Sequence, residues 1–153
     1  MASIAGTKNL GRQLLKTYRV VGIQRPLRCF SSVGDNKSHV VGFLGLGNMG
    51  LPMALNLAKT RQVLAFDPNP RAMDVAKEGG VLASDSAYNV GKEADVIVTM
   101  LPGCDFLNSV METLVDASKD KKTLFVDCST VSPTTSRYWH EKVQEDGHEM
   151  YEN

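Results

Sequence analysis

The residues with the clearest chemical meaning in this sequence are three glycines in the stretch Gly45-Leu46-Gly47-Asn48-Met49-Gly50. Gly45 permits a tight turn, Gly47 lets the phosphate groups of a ligand approach bare backbone, and Gly50 lets a helix pack closely on a strand. The backbone N–H groups at the start of such a helix point at a bound anion, and the helix dipole favours its charge. The spacing therefore predicts a phosphate-binding turn, provided that a strand precedes it and a helix follows it.

The elements around the glycines meet that condition. Short apolar runs predict strands over residues 40–44, 63–66, 81–83, 95–100 and 123–126. Amphipathic segments between them predict helices over residues 48–59, 70–78, 84–91, 105–117 and 133–145. Asn69 and Ser132 are the predicted N-caps of the second and fifth helices, and Ser84 or Asp85 caps the third. Strands that alternate with helices and are apolar on both faces indicate an α/β fold, a Rossmann-type doubly wound parallel sheet.

Asp67 is the acidic residue that completes this pattern, because it ends the second predicted strand, 20 residues after Gly47. Its carboxylate is placed to accept hydrogen bonds from the adenosine ribose hydroxyls of a bound dinucleotide, and it would repel a 2′-phosphate. Arg71 offers the alternative, because an arginine one helical turn further on could pair with that phosphate. The sequence therefore predicts a nicotinamide dinucleotide as ligand, with NAD favoured over NADP.

These motifs resemble those of the β-hydroxyacid dehydrogenases, a family that includes 6-phosphogluconate dehydrogenase. The stretch from Val41 to Gly50 resembles the opening of the family, and the resemblance extends from residue 39 to about residue 150. It implies an oxidoreductase in which Leu101 and Pro102 line the cofactor near its nicotinamide ribose, and Thr130 lies by the nicotinamide. The residues that carry these roles stand in the segments Thr99-Met100-Leu101-Pro102 and Asp127-Cys128-Ser129-Thr130. Without the resemblance, Pro102 would be an ordinary strand end and Thr130 a loop or cap residue.

The sequence departs from the family in three places. Residues 59–62 lack the glycine that the family usually has between the first helix and the second strand. Phe106 stands where the family often has an asparagine near the cofactor, and the last residues reach Asn153 where the family continues into a substrate-binding strand. Beyond that strand the family has a catalytic lysine and a helical domain for substrate binding and dimerisation. We therefore expect a sheet truncated before its last strand, no helical domain, no catalytic residue and no turnover by these residues alone. A small 3-hydroxy acid is expected as partner only in a full-length form.

A second class of function stays open at this point. The same residues could form a non-catalytic dinucleotide-binding module that senses the cofactor or pairs with a full-length subunit. A sheet without its last strand would also expose an edge and an apolar face, which predicts self-association. Tyr138 and Trp139 on the last helix belong either to that exposed face or to the core.

Residues 1–34 differ in composition from the rest, with six basic side chains and no acid. Leu10, Leu14, Leu15 and Tyr18 recur at helical spacing with basic residues between them. This composition is typical of a mitochondrial transit peptide, here with cleavage after Phe30, and the alternative is a disordered basic tail. The sequence thus predicts a mitochondrial matrix protein whose NAD(P)-binding domain covers residues 35–153.

Charge and residue counts exclude several other functions. Residues 35–153 carry 11 basic and 17 acidic side chains, a net charge of −6 that does not suit a nucleic-acid partner. No apolar run approaches the ~18 residues of a membrane span, so no membrane partner is expected. Cys104 and Cys128 are interpreted as packing residues without a metal or disulfide role. We interpret the three histidines, His39, His140 and His148, as solvated or capping residues.

Overall fold

The structure is a computed structural model, and it describes residues 39–152. The predicted transit peptide therefore lies outside the described residues. Six strands are present: β1 (Val40–Leu44), β2 (Gln62–Phe66), β3 (Leu82–Ala83), β4 (Val96–Thr99), β5 (Leu124–Asp127) and β6 (Glu149–Glu152). Five helices alternate with them: α1 (Gly50–Ala58), α2 (Pro70–Glu78), α3 (Ala87–Glu93), α4 (Cys104–Ala117) and α5 (Pro133–Glu145). The predicted α/β class is confirmed.

The six strands form one sheet in the order β3-β2-β1-β4-β5-β6, and every neighbouring pair is parallel. This is the strand order of the Rossmann doubly wound fold. Neighbouring residues of β1 enter different cores, because successive side chains of a strand point to opposite faces. Phe43 joins a cluster with side chains of α1 and α2, and Leu44 joins a cluster with side chains of α3, α4 and α5. Both faces of the sheet are thus covered by helices.

The expectation that the sheet stops before its last strand is wrong. β6 pairs in parallel with β5, with Phe125 opposite Met150 and Asp127 opposite Glu152. Within β6 only Met150 is buried. A four-residue edge strand with one buried side chain lacks the apolar run by which buried strands are detected, which explains the error. The outer edge of the sheet on this side is therefore β6 rather than β5.

Local boundaries differ from the predictions by one residue at the start of α4 and by more at α1 and α3. α1 begins at Gly50 instead of Asn48, and α3 is capped by Ser86 instead of Ser84 or Asp85. The Ser86 side chain accepts the backbone N–H of Asn89, whereas the Ser84 hydroxyl donates to the carbonyl of Ser86. The caps predicted at Asn69 and Ser132 are confirmed, because both side chains accept a backbone N–H from the first turn of their helix.

The sequence left open whether Tyr138 and Trp139 are exposed or belong to the core, and the structure decides this for each of them. Trp139 is buried, and its indole N–H donates to Asn108 Oδ1 at 2.7 Å, whereas Tyr138 is exposed. His148 is buried too, so its interpretation as a solvated or capping residue is wrong. Its ring packs edge-on against Phe125, and its Nδ1 accepts the backbone N–H of Thr123 at 3.2 Å. His148 is thus part of the junction between β5 and β6.

Candidate cofactor-binding site

The predicted site residues all follow the carboxyl ends of strands, where open α/β sheets bind ligands. Gly45 follows β1, Asp67 follows β2, Leu101 follows β4 and Thr130 follows β5. In the order of the strands, β2 lies on one side of the β1–β4 pair and β5 lies on the other. The connections that leave β1 and β4 therefore run in opposite directions across the sheet. A crevice at the carboxyl ends of β1 and β4 is the expected consequence of this reversal. The glycine turn and the Leu101 segment flank it.

Each of the three glycines of the turn suits its position for a different structural reason. Gly45 has a φ of +93°, a conformation that side chains rarely adopt. A Cβ on Gly50 would overlap the carbonyl oxygen of Gly45 and press on the ring of Phe43. Gly47 is exposed, and a Cβ built there meets no atom within 4 Å. Gly45 and Gly50 are therefore required by the fold itself, whereas Gly47 leaves bare backbone next to open space.

The start of α1 suits an anionic ligand. Its N-cap residue, Met49, makes no side-chain capping hydrogen bond, whereas α2, α3 and α5 each begin with a side-chain cap. Of the N–H groups in the first turn of α1, that of Leu51 donates to the carbonyl of Gly47 at 3.0 Å, whereas that of Gly50 has no carbonyl partner within the helix and is available for a ligand. Leu46 is buried, and Asn48 and Met49 are exposed beside the turn. These features fit the pyrophosphate of a dinucleotide.

Asp67 is bonded to the glycine turn in addition to its position at the end of β2. Its Oδ2 accepts the backbone N–H of Leu46 at 2.6 Å, and its Oδ1 accepts that of Asn69 at 2.8 Å. The backbone of Gly45 also donates to the carbonyl of Phe66 at 3.3 Å. The sequence predicted Asp67 as a ribose ligand without predicting these bonds. The half-buried carboxylate is thus held in a defined orientation beside the turn.

A groove of about 380 Å³ lies between α2 and the end of β3, and Asp67 is one of the residues that line it. Carboxylates outnumber basic side chains in its lining, with Asp67, Asp74 and Asp85 against Lys77. The remaining lining residues are Phe66, Pro68, Pro70, Met73, Ala83 and Ser84. Such a lining repels a phosphate group more strongly than it attracts one.

The carboxyl ends of β4 and β5 are joined by polar contacts that the sequence analysis missed. The hydroxyl of Thr99 donates to Asp127 Oδ1 at 2.8 Å, and both residues are buried. The backbone N–H of Ser129 donates to the same oxygen at 3.0 Å, and Ser129 Oγ accepts the backbone N–H of Leu101 at 2.9 Å. The available signal was a polar residue at the end of each of two apolar strands.

Leu101 is half-buried, whereas Pro102 and Thr130 are exposed at this edge of the sheet. Phe106, on the first turn of α4, is exposed as well. The structure therefore places the predicted cofactor-binding residues around one edge and gives the Thr130 segment a direct connection to the Leu101 segment through Ser129.

Residues 39–152 contain no group of three His, Cys, Asp or Glu side chains that could hold a metal ion. Cys104 and Cys128 are free thiols that are half-buried. Within the described part of the chain, no helix is long and apolar enough to cross a membrane.

Comparisons with known proteins agree with this geometry. The family model for the NAD-binding domain of 6-phosphogluconate dehydrogenase matches residues 40–152. A probable 3-hydroxyisobutyrate dehydrogenase of Mycobacterium tuberculosis is 40% identical over 108 residues, which cover 70% of this chain and 36% of that protein. A probable mitochondrial 3-hydroxyisobutyrate dehydrogenase of Dictyostelium discoideum is 41% identical over 108 residues, covering 69% of this chain and 34% of that protein.

The solved structure of the Mycobacterium tuberculosis 3-hydroxyisobutyrate dehydrogenase with L-serine is similar as well. It is 37% identical with a TM-score of 0.70, over 74% of this chain and 39% of that one. Fold and site together define a Rossmann-type NAD(P)-binding domain. The chain belongs to the β-hydroxyacid dehydrogenase family, as the resemblance implied. It spans little more than a third of the length of these relatives.

Proposed function

We propose that this chain supplies the cofactor-binding half of a 3-hydroxyisobutyrate dehydrogenase-like oxidoreductase and that it binds NAD in preference to NADP. The observation that supports this most directly is the glycine turn, where Gly47 leaves bare backbone beside the uncapped start of α1. When bound, the nicotinamide supplies hydride chemistry. The residues of this chain bind and orient it, through the glycine turn, Asp67, Leu101, Pro102 and Thr130.

The preference for NAD follows from charge at the end of β2. Asp67 can accept hydrogen bonds from ribose hydroxyls, and the groove beside it adds two further carboxylates, Asp74 and Asp85, against Lys77. Arg71 is exposed on α2 and offers the opposite charge. The test is to titrate the 153-residue chain with NADH and with NADPH by calorimetry. We expect tighter binding of NADH, and tighter binding of NADPH would refute the preference.

The substrate of the complete oxidoreductase is a small 3-hydroxy acid. Relatives are named for 3-hydroxyisobutyrate, and one solved relative was determined with L-serine, which also carries a hydroxyl at carbon 3 beside a carboxylic acid. The 153 residues alone bind the cofactor without turning this substrate over, because the family model that they match is that of the NAD-binding domain, and they span little more than a third of the relatives' length. Formation of NADH from NAD and 3-hydroxyisobutyrate by the purified chain would contradict this proposal.

We also propose that residues 1–34 direct the protein to the mitochondrial matrix. Their six basic side chains and lack of acids support this, and several relatives are named as mitochondrial enzymes. The test is to fuse residues 1–38 to a fluorescent protein and to follow import. Exchange of Arg12, Lys16 and Arg19 for glutamate should abolish mitochondrial accumulation. Unchanged import of that variant would contradict the proposal.

A further inference from the structure

Asp127 and Ser129 form a short chain of hydrogen bonds between the loops that follow β4 and β5. Asp127 Oδ1 accepts from two donors, the hydroxyl of Thr99 on β4 and the backbone N–H of Ser129. Ser129 Oγ in turn accepts the backbone N–H of Leu101. Asp127 is 3% exposed and Thr99 is 2% exposed, so bulk water does not compete for their bond. The two loops therefore do not depend on the strand ladder alone for their relative position.

We propose that this chain of bonds positions the nicotinamide half of the cofactor, with Ser129 and Asp127 as positioning residues. The inference rests on the proposed function, in which Leu101 and Pro102 line the cofactor near its nicotinamide ribose and Thr130 lies by the nicotinamide. Ser129 directly precedes Thr130 and holds the backbone of Leu101. A shift of either loop would therefore misplace a contact to the nicotinamide riboside.

The adenosine half depends on different contacts. The glycine turn is held through Gly45, whose N–H donates to Phe66, and through Leu46, whose N–H donates to Asp67. None of these bonds involves Ser129 or Asp127. Loss of the bond between Ser129 Oγ and the Leu101 N–H should therefore weaken the binding of NAD more than the binding of ADP. The reason is that ADP carries the adenosine and pyrophosphate but lacks the nicotinamide riboside.

The experiment compares NAD and ADP binding by the 153-residue chain and its Ser129→Ala variant. We expect ADP affinity to stay within about twofold and NAD affinity to fall about fivefold, which corresponds to one lost hydrogen bond. Ser129→Thr keeps the hydroxyl oxygen and should restore NAD affinity. Thr99→Val removes the hydroxyl that fixes Asp127 and should shift the NAD-to-ADP ratio in the same direction.

Ser118→Ala is the matched control. Ser118 is a buried serine at the C-terminal end of α4 whose hydroxyl donates to the carbonyl of Gly91 at 3.1 Å. This variant should lose thermal stability without a change in the NAD-to-ADP ratio. Equal losses for NAD and ADP in Ser129→Ala, or no loss for either, would overturn the positioning role. Failure of the wild-type chain to bind either nucleotide would instead refute the proposed function.

Discussion

Asp67 Oδ2 accepts the backbone N–H of Leu46 at 2.6 Å, which joins the end of β2 to the glycine turn after β1. The two residues are 21 positions apart in the sequence. The carboxylate that faces the predicted ribose position is therefore also a support of the turn that faces the predicted pyrophosphate position. A substitution at Asp67 should consequently affect both the strength of dinucleotide binding and the choice between dinucleotides.

Asp67→Ala should lower NAD affinity about tenfold or more, because a hydrogen bond to a charged group contributes about 1.5–3 kcal/mol. NADP affinity should fall less or rise, because the charge that repels a 2′-phosphate is removed. The measurement is calorimetric titration with each dinucleotide. Asp74→Ala is the control, since Asp74 lines the same groove without contacting the turn. An unchanged NAD-to-NADP ratio in Asp67→Ala, or an equal change in Asp74→Ala, would argue against this account.

Gly47→Ala and Gly50→Ala should separate cofactor binding from folding. The methyl group at position 47 meets no protein atom, so the melting temperature should stay near that of the wild type. Dinucleotide affinity should fall at least about tenfold, because the methyl group occupies the space that the phosphates approach.

The methyl group at position 50 overlaps the Gly45 carbonyl, and overpacking of this kind costs about 1–3 kcal/mol of stability. Thermal denaturation with and without NADH distinguishes the two variants. A Gly47→Ala protein that binds NADH normally would contradict the role of the bare backbone.

His148 should make the stability of the domain depend on pH. Burial lowers the pKa of His148 from its ordinary value of 6.5, and nearby Lys121 lowers it further while Asp146 opposes both. As pH falls through 6.5, the unfolded chain binds a proton that the folded protein does not, so the free energy of unfolding decreases. Protonation of Nδ1 would also break its bond to the Thr123 N–H.

The measurement is the melting temperature between about pH 5 and 8. His148→Asn keeps an acceptor for the Thr123 N–H and should reduce the decline toward acid. Ser118→Ala removes a buried hydrogen bond without removing a titratable group and should leave the decline as it is. If the melting temperatures of the two variants fall equally toward acid pH, His148 is not the group that causes the pH dependence.

Asn108→Ala should destabilise the packing of α5 on α4. The substitution leaves the buried indole N–H of Trp139 without its acceptor, which costs about 1–3 kcal/mol. Trp139 is the single tryptophan of the chain, so its fluorescence follows urea unfolding directly. Asn89→Ala, at an exposed position of α3, is the matched control and should be nearly neutral. Equal stability of the two variants would show that the Trp139 bond contributes little.

Most of the fold could be predicted because its signals are local. β1 and β4 are continuous apolar runs, and helices α2 and α5 begin at Asn69-Pro70 and Ser132-Pro133, where a cap precedes a proline. β6 could not be predicted in this way, because Met150 is its only buried residue and its other contacts come from β5 and α5. A strand defined by its neighbours has no pattern of its own to detect.

The candidate site, like the fold, could be predicted from the sequence only in part. The G-x-G-x-x-G spacing and an acid after the second strand were sufficient to predict the turn and its ligand class, since each depends on the residue types alone. Only the tertiary structure revealed that Asp67 supports Leu46 and that Asp127 holds Thr99, 28 positions earlier. These bonds form because a parallel sheet brings the carboxyl ends of β1, β2, β4 and β5 to one edge. The order of the strands in the sheet therefore decided which polar residues meet.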